Sequence, residues 1–294
     1  MALAVDATMH GDKVAALVVS VLYRGCAIPV AWSILPANKK GSWIEPLVQL
    51  LTTLAPAVGD GMEVVVMTDR GLWSPRLWNC IRECGWHPLM RLKKNTVFQP
   101  VRGCRNGALY LIPGPGHAWI GQGTAFRAKR VQRFGTLMVM WDVGQKEPWV
   151  LLTDVSAERD AVAWYGLRFW IELGFRALKG VGLHWDRTRR TNPDRVARHW
   201  LTLSVATVWI LAHGTRLEEA EAVGREPSRL RRSVNTAPSR RLVSVFARGL
   251  EGMKQRLLGK GLWSRFWLSA ERWPKAPPSL NVVIHNPTQT HAIA

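Results

Sequence analysis

The stretch Trp164-Tyr165-Gly166-Leu167-Arg168-Phe169-Trp170-Ile171-Glu172-Leu173-Gly174-Phe175-Arg176-Ala177-Leu178-Lys179 sets Tyr165, Arg168, Glu172 and Lys179 in a mostly apolar frame. It contains no Pro and reads as a helix. At about 100° per residue, offsets of 3, 7 and 14 bring these four side chains within about 60° of one another. Ala161, Trp164, Phe169, Phe175 and Leu178 are then free to face a core. One stripe carries a phenol, a guanidinium, a carboxylate and an ammonium. Arg168 and Glu172 stand at i,i+4, so an exposed salt bridge explains that pair equally well from spacing alone. The rest of the chain decides between the two.

Two earlier aspartates supply what Glu172 lacks. Asp6 closes the apolar run Ala2-Leu3-Ala4-Val5, and Asp69 follows Met62–Thr68, a β-branched run of the kind found in buried strands. Arg70-Gly71 marks a sharp turn, and Leu72–Cys84 reads as a helix. A single Asp between strand and turn is most often a local turn residue. Three carboxylates from two strand ends and a helix differ, because hard cations such as Mg²⁺ are held through oxygen by very few carboxylates.

Together, Val5-Asp6-Ala7-Thr8, Thr68-Asp69-Arg70-Gly71 and Tyr165-x2-Arg168-x3-Glu172-x6-Lys179 resemble the DDE transposases of bacterial insertion sequences. The four-residue spacing narrows the resemblance to the cut-and-paste branch, whose third acidic residue lies in a Tyr-Arg-Glu-Lys helix. Arg91 within Leu89–Lys93, Leu151-Leu152-Thr153-Asp154 and Pro193–Trp200 are supporting matches, and the resemblance spans residues 2–215. It implies an α/β fold: a ribonuclease H-like mixed sheet flanked by helices, with an antiparallel β-rich insertion before the Glu-bearing helix. It also implies that Asp6, Asp69 and Glu172 hold two Mg²⁺ ions, with Mn²⁺ able to substitute, for DNA cleavage and strand transfer. Tyr165, Arg168 and Lys179 are implied to hold phosphates, with Arg91 and Arg176 as further DNA-binding candidates. DNA is then the partner, in a homodimeric active complex in the bacterial cytoplasm beside the nucleoid. A metal-dependent endonuclease of the same fold and an inactive DNA-binding remnant are the two alternatives.

Charge agrees with a polyanionic partner. The formal net charge is +19, and it is unevenly spread. Residues 1–175 hold 19 Lys+Arg against 13 Asp+Glu, while residues 176–294 hold 21 against 8. Arg dominates the second half, and its planar fork suits phosphate oxygens. The longest uncharged apolar stretch, Trp200–Ala212, is too short to span a bilayer and reads as a buried helix. No charged segment followed by an apolar one opens the chain, so export is not expected. Cys26, Cys80, Cys84 and Cys104 form no zinc pattern and read as buried free thiols in a reducing cytoplasm.

The expected element order is strand Ala2–Asp6, strand Val14–Tyr23, strand Ala27–Leu35, helix Gly41–Leu54 capped by Ser42, strand Glu63–Thr68, helix Leu72–Cys84 and strand His87–Leu92. Then come short alternating runs, Ala108–Ile112, Ala125–Val131, Thr136–Asp142 and Trp149–Thr153, as in an antiparallel meander. Pro113–Gly116 and Gly121-Gln122-Gly123 read as hairpin turns. The domain reading is 1–92 first part of the core, 93–159 β-rich insertion, 160–215 helical completion, and 216–294 a basic, partly disordered region. Within that last region, Glu218–Val223 continues a helix, Pro227–Arg241 has no apolar face, Leu242–Leu258 is helical, and the chain from Trp273 on is an extended, poorly ordered tail.

Sixteen tryptophans are mostly packing residues, but the family uses an aromatic of the insertion to hold a flipped base, which brings Trp119, Trp141 and Trp149 into consideration. The family also carries an N-terminal region that recognises the element's ends. Only five residues precede Asp6, so a catalytic domain without that region is expected.

Overall fold

The computed structural model describes residues 1–37, 43–180, 182–224, 243–259 and 268–285, the side chains of 222–224 excepted. β1 (Ala2–His10), β2 (Val14–Tyr23) and β3 (Cys26–Pro36) form an antiparallel meander. α1 (Ile44–Leu54), β4 (Val65–Thr68), α2 (Pro75–Glu83) and β5 (His87–Arg91) follow. Next come β6 (Val97–Pro100), β7 (Asn106–Gly107), β8 (His117–Ala125), β9 (Arg133–Trp141) and β10 (Trp149–Thr153). The chain continues through α3 (Ala161–Trp164), α4 (Phe169–Leu178), α5 (Pro193–Gly224), α6 (Val245–Leu258) and β11 (Asn281–His285).

All the described strands belong to one mixed sheet, in the order β3-β2-β1-β4-β5-β10-β9-β8-β6-β7, with β11 beside β8. β1, β4 and β5 are parallel, and β10 returns antiparallel to β5, which joins the meander of β6–β9 to the core. The pleat divides β1 between two layers. Leu3 and Val5 pack with Leu47 and Leu51 of α1 and Leu77, Trp78 and Ile81 of α2. Ala2 and Ala4 face the opposite layer, with Ala161, Val162, Tyr165 and Ile171. The result is an α/β sheet covered by helices on both faces, as expected.

Several local expectations change. β1 runs four residues past Asp6, because Ala7 to His10 keep pairing with β2, and Asp6 therefore lies inside a strand. The helix expected over Gly41–Leu54 begins at Ile44; Gly41 and Ser42 lie outside the described residues, and Trp43 at the cap position makes no side-chain cap. α2 begins at Pro75 instead of Leu72, because Arg70–Leu72 forms a separate 3₁₀ turn and Ser74 Oγ accepts from the Leu77 N–H at 3.0 Å. Ala108–Leu111 is a 3₁₀ turn rather than a strand: Ala108 and Ile112, four apart, are the two buried residues. The Ala125–Val131 run is broken by Phe126, whose φ of 72° turns the chain and whose ring stacks on Trp73 at 4.8 Å.

Gly121-Gln122-Gly123 is the middle of β8 rather than a hairpin turn. A Cβ on Gly123 would run into the backbone carbonyl of Gln99, so the glycine there answers a close approach of two strands. The stretch Trp200–Ala212 is buried on one side only: Trp200, Leu203 and Leu211 are covered, while Leu201 and Val205 are exposed. No described helix is long and apolar enough to cross a membrane. Pro227–Arg241 lies outside the described residues.

The segment after Trp273 does not run free through the described residues. Arg159 donates to the carbonyls of Ala276, Pro277 and Leu280 at 3.2, 2.9 and 2.9 Å, and Asp160 accepts from the Ala276 N–H. β11 then pairs parallel with the first half of β8.

α5 and α6 cross at backbone contact. A Cβ on Gly249 would run into the Ile210 carbonyl, and one on Gly214 into the Val245 carbonyl. Neither obstacle is a side chain that can rotate away. Gly249→Ala is expected to cost about 1–3 kcal/mol of stability by overpacking, read as a lower denaturation midpoint in urea. An unchanged midpoint would mean that the two helices are not held this closely.

Candidate active site

Val5 of β1 is the register partner of Thr68 of β4, so Asp6 and Asp69 come next on adjacent parallel strands, whose spacing is about 4.8 Å. Asp69 keeps an extended backbone, with φ −75° and ψ 165°. Ala4 and Met67, two residues earlier, both face the layer of α3 and α4. Alternation therefore sends both carboxylates toward α4, where Glu172 lies in the first turn. In this way carboxylates from β1, β4 and α4 lie on the same side of the sheet, near enough for Asp69 and Glu172 to disfavour the charged form of Asp6.

The helix expected over Trp164–Lys179 is interrupted. Tyr165–Arg168 is a 3₁₀ turn between α3 and α4, and Lys179 lies just beyond α4. A 3₁₀ turn advances about 120° per residue, which places Tyr165 and Arg168 on the buried side together. Tyr165 is 1% exposed, its hydroxyl donates to the Thr68 carbonyl at 3.2 Å, and its ring meets Trp149 edge-on at 5.2 Å. Burial pushes its phenol well above the ordinary range. It thus ties the 3₁₀ turn to the end of β4, one residue before Asp69. Phe169, expected in the core, is 47% exposed, and Ile171 takes the inward position.

Arg168 is 7% exposed and sits between carboxylates. Its Nη2 donates to Asp6 Oδ2 at 2.6 Å and its Nη1 to Glu172 Oε1 at 3.2 Å. The salt bridge read from spacing keeps an exposed end, since the Glu172 side chain is 49% accessible, while its Arg168 end is buried and also bonds Asp6. Burial raises the Asp6 carboxyl above its ordinary value; Arg168 and the Ala7 N–H oppose this, while Asp69 and Glu172 add to it. Among the described residues, the Asp69 carboxylate has no ion pair.

The other candidates lie around this cluster. Thr8, Glu172, Phe175, Arg176, Lys179 and Gly180 line an open cleft of about 320 Å³ beside it. Arg176 is exposed there, while Lys179 donates to the Met9 carbonyl at 2.9 Å and lies over the Trp185 ring at 5.6 Å. Thr8 escaped the sequence reading, although its place two residues after Asp6 on one strand face was the available signal. Arg91 is paired with Glu147 at 2.7 Å, an acidic residue that no motif singles out. Trp119 and Trp149 are buried and Trp141 donates to the Gln145 carbonyl; the exposed aromatics of the meander are Tyr110 and Phe134, 83% and 62% accessible.

The donor set suits a hard divalent cation, since three carboxylates offer only oxygen. Among the described residues, however, no three acidic, His or Cys side chains are grouped closely enough to hold an ion as they stand. The Arg168 guanidinium fills the room between two of the three.

Removing one member of a buried ion pair strands the other's charge. Without divalent cations, Arg168→Ala is expected to lower stability by about 2–3 kcal/mol, at or below the bottom of the range of about 3–5 kcal/mol for breaking a buried pair, because Asp6 is partly solvated and Glu172 is half exposed. Chemical denaturation in EDTA measures this. A loss below about 1 kcal/mol would return Arg168 to the class of exposed pairs.

The family model described as a transposase DDE domain matches residues 10–209, which include Asp69 and Glu172 and begin four residues after Asp6. No curated protein sequence matches the chain. Among solved structures, the chain is similar to a piggyBac transposase in a cryo-EM synaptic complex with hairpin DNA, at 12% identity and a TM-score of 0.42 over 70% of this chain and 45% of that one. Human ENDOV, known from a crystal structure, is similar at 13% identity and a TM-score of 0.27, over 76% of this chain and 85% of that one. This chain thus spans less than half the length of the piggyBac chain. On the match of residues 10–209 it belongs to the transposase DDE domain family.

Proposed function

We propose that Asp6, Asp69 and Glu172 form the metal site of a transposase that cleaves DNA and joins the freed 3′-hydroxyl end to a target. The observation that carries this reading is the register of β1 and β4, which sets Asp6 beside Asp69 on the face that α4 covers with Glu172. Two Mg²⁺ ions, or Mn²⁺ in their place, supply when bound the Lewis acidity that phosphodiester displacement requires.

The protein's own groups do the rest. Arg176 and Lys179, with the Thr8 hydroxyl, bind backbone phosphate in the cleft beside Glu172. Tyr165 positions the end of β4, and so Asp69, through the Thr68 carbonyl. Arg91 and Arg168 reach phosphate when released from Glu147 and from the carboxylates.

A second basic surface extends from the meander: between Lys93 and Trp141 the chain has eight Lys and Arg residues and no Asp or Glu. Such a surface attracts DNA by charge, whatever the base sequence. The domain division at residues 93, 160 and 216, a homodimeric DNA complex, and action on an insertion sequence beside the nucleoid in a bacterial cytoplasm belong to the same reading.

Supercoiled plasmid incubated with the purified chain and Mg²⁺ is expected to be nicked or linearised, and Asp69→Asn, Glu172→Gln or Asp6→Asn should each abolish cleavage while the chain stays folded. Cleavage by Glu172→Gln at a near wild-type rate would overturn the assignment. Joining of a labelled 3′-hydroxyl end to target DNA separates a transposase from an endonuclease of the same fold.

A further inference from the structure

We infer that Arg168 is the cation held by Asp6 and Glu172 while the metal is absent, and that a divalent ion enters as Arg168 leaves for a DNA phosphate. This rests on reading the carboxylates as a metal site, and it concerns how that site is controlled. The guanidinium bonds two carboxylates from different elements, at 2.6 Å to Asp6 and 3.2 Å to Glu172. A dication set between Asp6 and Glu172 competes with the guanidinium for Asp6 Oδ2 and Glu172 Oε1, and the two cations repel each other.

The arrangement is also unfinished as a structural ion pair. Arg168 Nε is buried without a hydrogen-bond partner, and the third carboxylate, Asp69, has no ion pair among the described residues. A buried guanidinium kept for structure normally has its donors satisfied, whereas Asp69 is partly open to solvent. One unfilled donor and one unpaired carboxylate fit a set of groups waiting for two more charges, a cation and an anion. The cleft that adjoins Glu172, Arg168's own partner, is lined by Arg176 and Lys179 and so attracts an anion, and a phosphate offers the guanidinium a bidentate partner. The exchange couples the two ligands. DNA frees carboxylates for the ion, the ion frees Arg168 for DNA, and each strengthens the other's binding by the same factor.

Calorimetric titration of the full chain with Mn²⁺, without DNA, tests the first half. Arg168→Gln is expected to bind Mn²⁺ about tenfold or more tightly than wild type; equal or weaker binding would overturn the inference. Should the variant fold poorly, ¹⁵N-arginine spectra of the wild type give the same decision. The solvent-protected Arg168 signal should be lost when Mg²⁺ and a short duplex are added together, and its persistence with both bound would contradict the exchange. Asp69→Asn, which leaves both carboxylate bonds of Arg168 in place, serves as the control for the site itself. If it bound Mn²⁺ as well as wild type, the metal-site reading would fall and this inference with it; if only Arg168→Gln matched wild type, this inference alone would fall.

Discussion

Two adjacent parallel strands that each reach an aspartate at the same level place two negative charges about one strand spacing apart, at the edge of a packed core. That arrangement is costly unless a cation joins it. Much of the surrounding structure answers this constraint. The 3₁₀ turn at Tyr165–Arg168 breaks what would otherwise be one helix, and turns Arg168 inward to meet Asp6. Tyr165, on the same turn, fastens it to the last carbonyl of β4. Glu172, one turn further, then holds the other arm of the guanidinium. The carboxylate cluster is therefore built around a charge that the chain supplies for itself.

Much of the core was legible because its signals are local. Val14–Tyr23 and Trp149–Thr153 keep the bounds read from the sequence, since β-branched runs between turn residues leave few alternatives. That Asp6 and Asp69 lie side by side, on the side of the sheet that α4 covers, was legible only as a pattern of motifs. What makes it physical, the Val5–Thr68 register, depends on pairing across some sixty residues and cannot be read from either strand alone.

Where the reading went astray, a distant partner overrode the local signal. Gly121 and Gly123 look like turn residues, yet they lie in β8 because a neighbouring ring and a neighbouring strand leave no room for side chains. The Pro-rich segment around Ala276 looks free, yet Arg159 and Asp160, more than a hundred residues earlier, fasten it to the sheet. The Arg168–Glu172 spacing correctly announces a salt bridge with an exposed glutamate, but not the burial of its arginine. Burial comes from Asp6, 162 residues away, and from the change of helical pitch that turns Arg168 inward.

The central claim is that Asp6, Asp69 and Glu172 converge on a divalent ion. Anomalous diffraction from crystals of the chain grown with Mn²⁺ and a short DNA duplex tests it most directly. The account predicts a strong anomalous peak bonded to carboxylate oxygens of Asp6 and Asp69 and shared with Glu172, at about the 2.0–2.2 Å typical of small divalent ions bound through oxygen. A fully occupied Mn²⁺ elsewhere, with Arg168 still bridging Asp6 and Glu172, would contradict it.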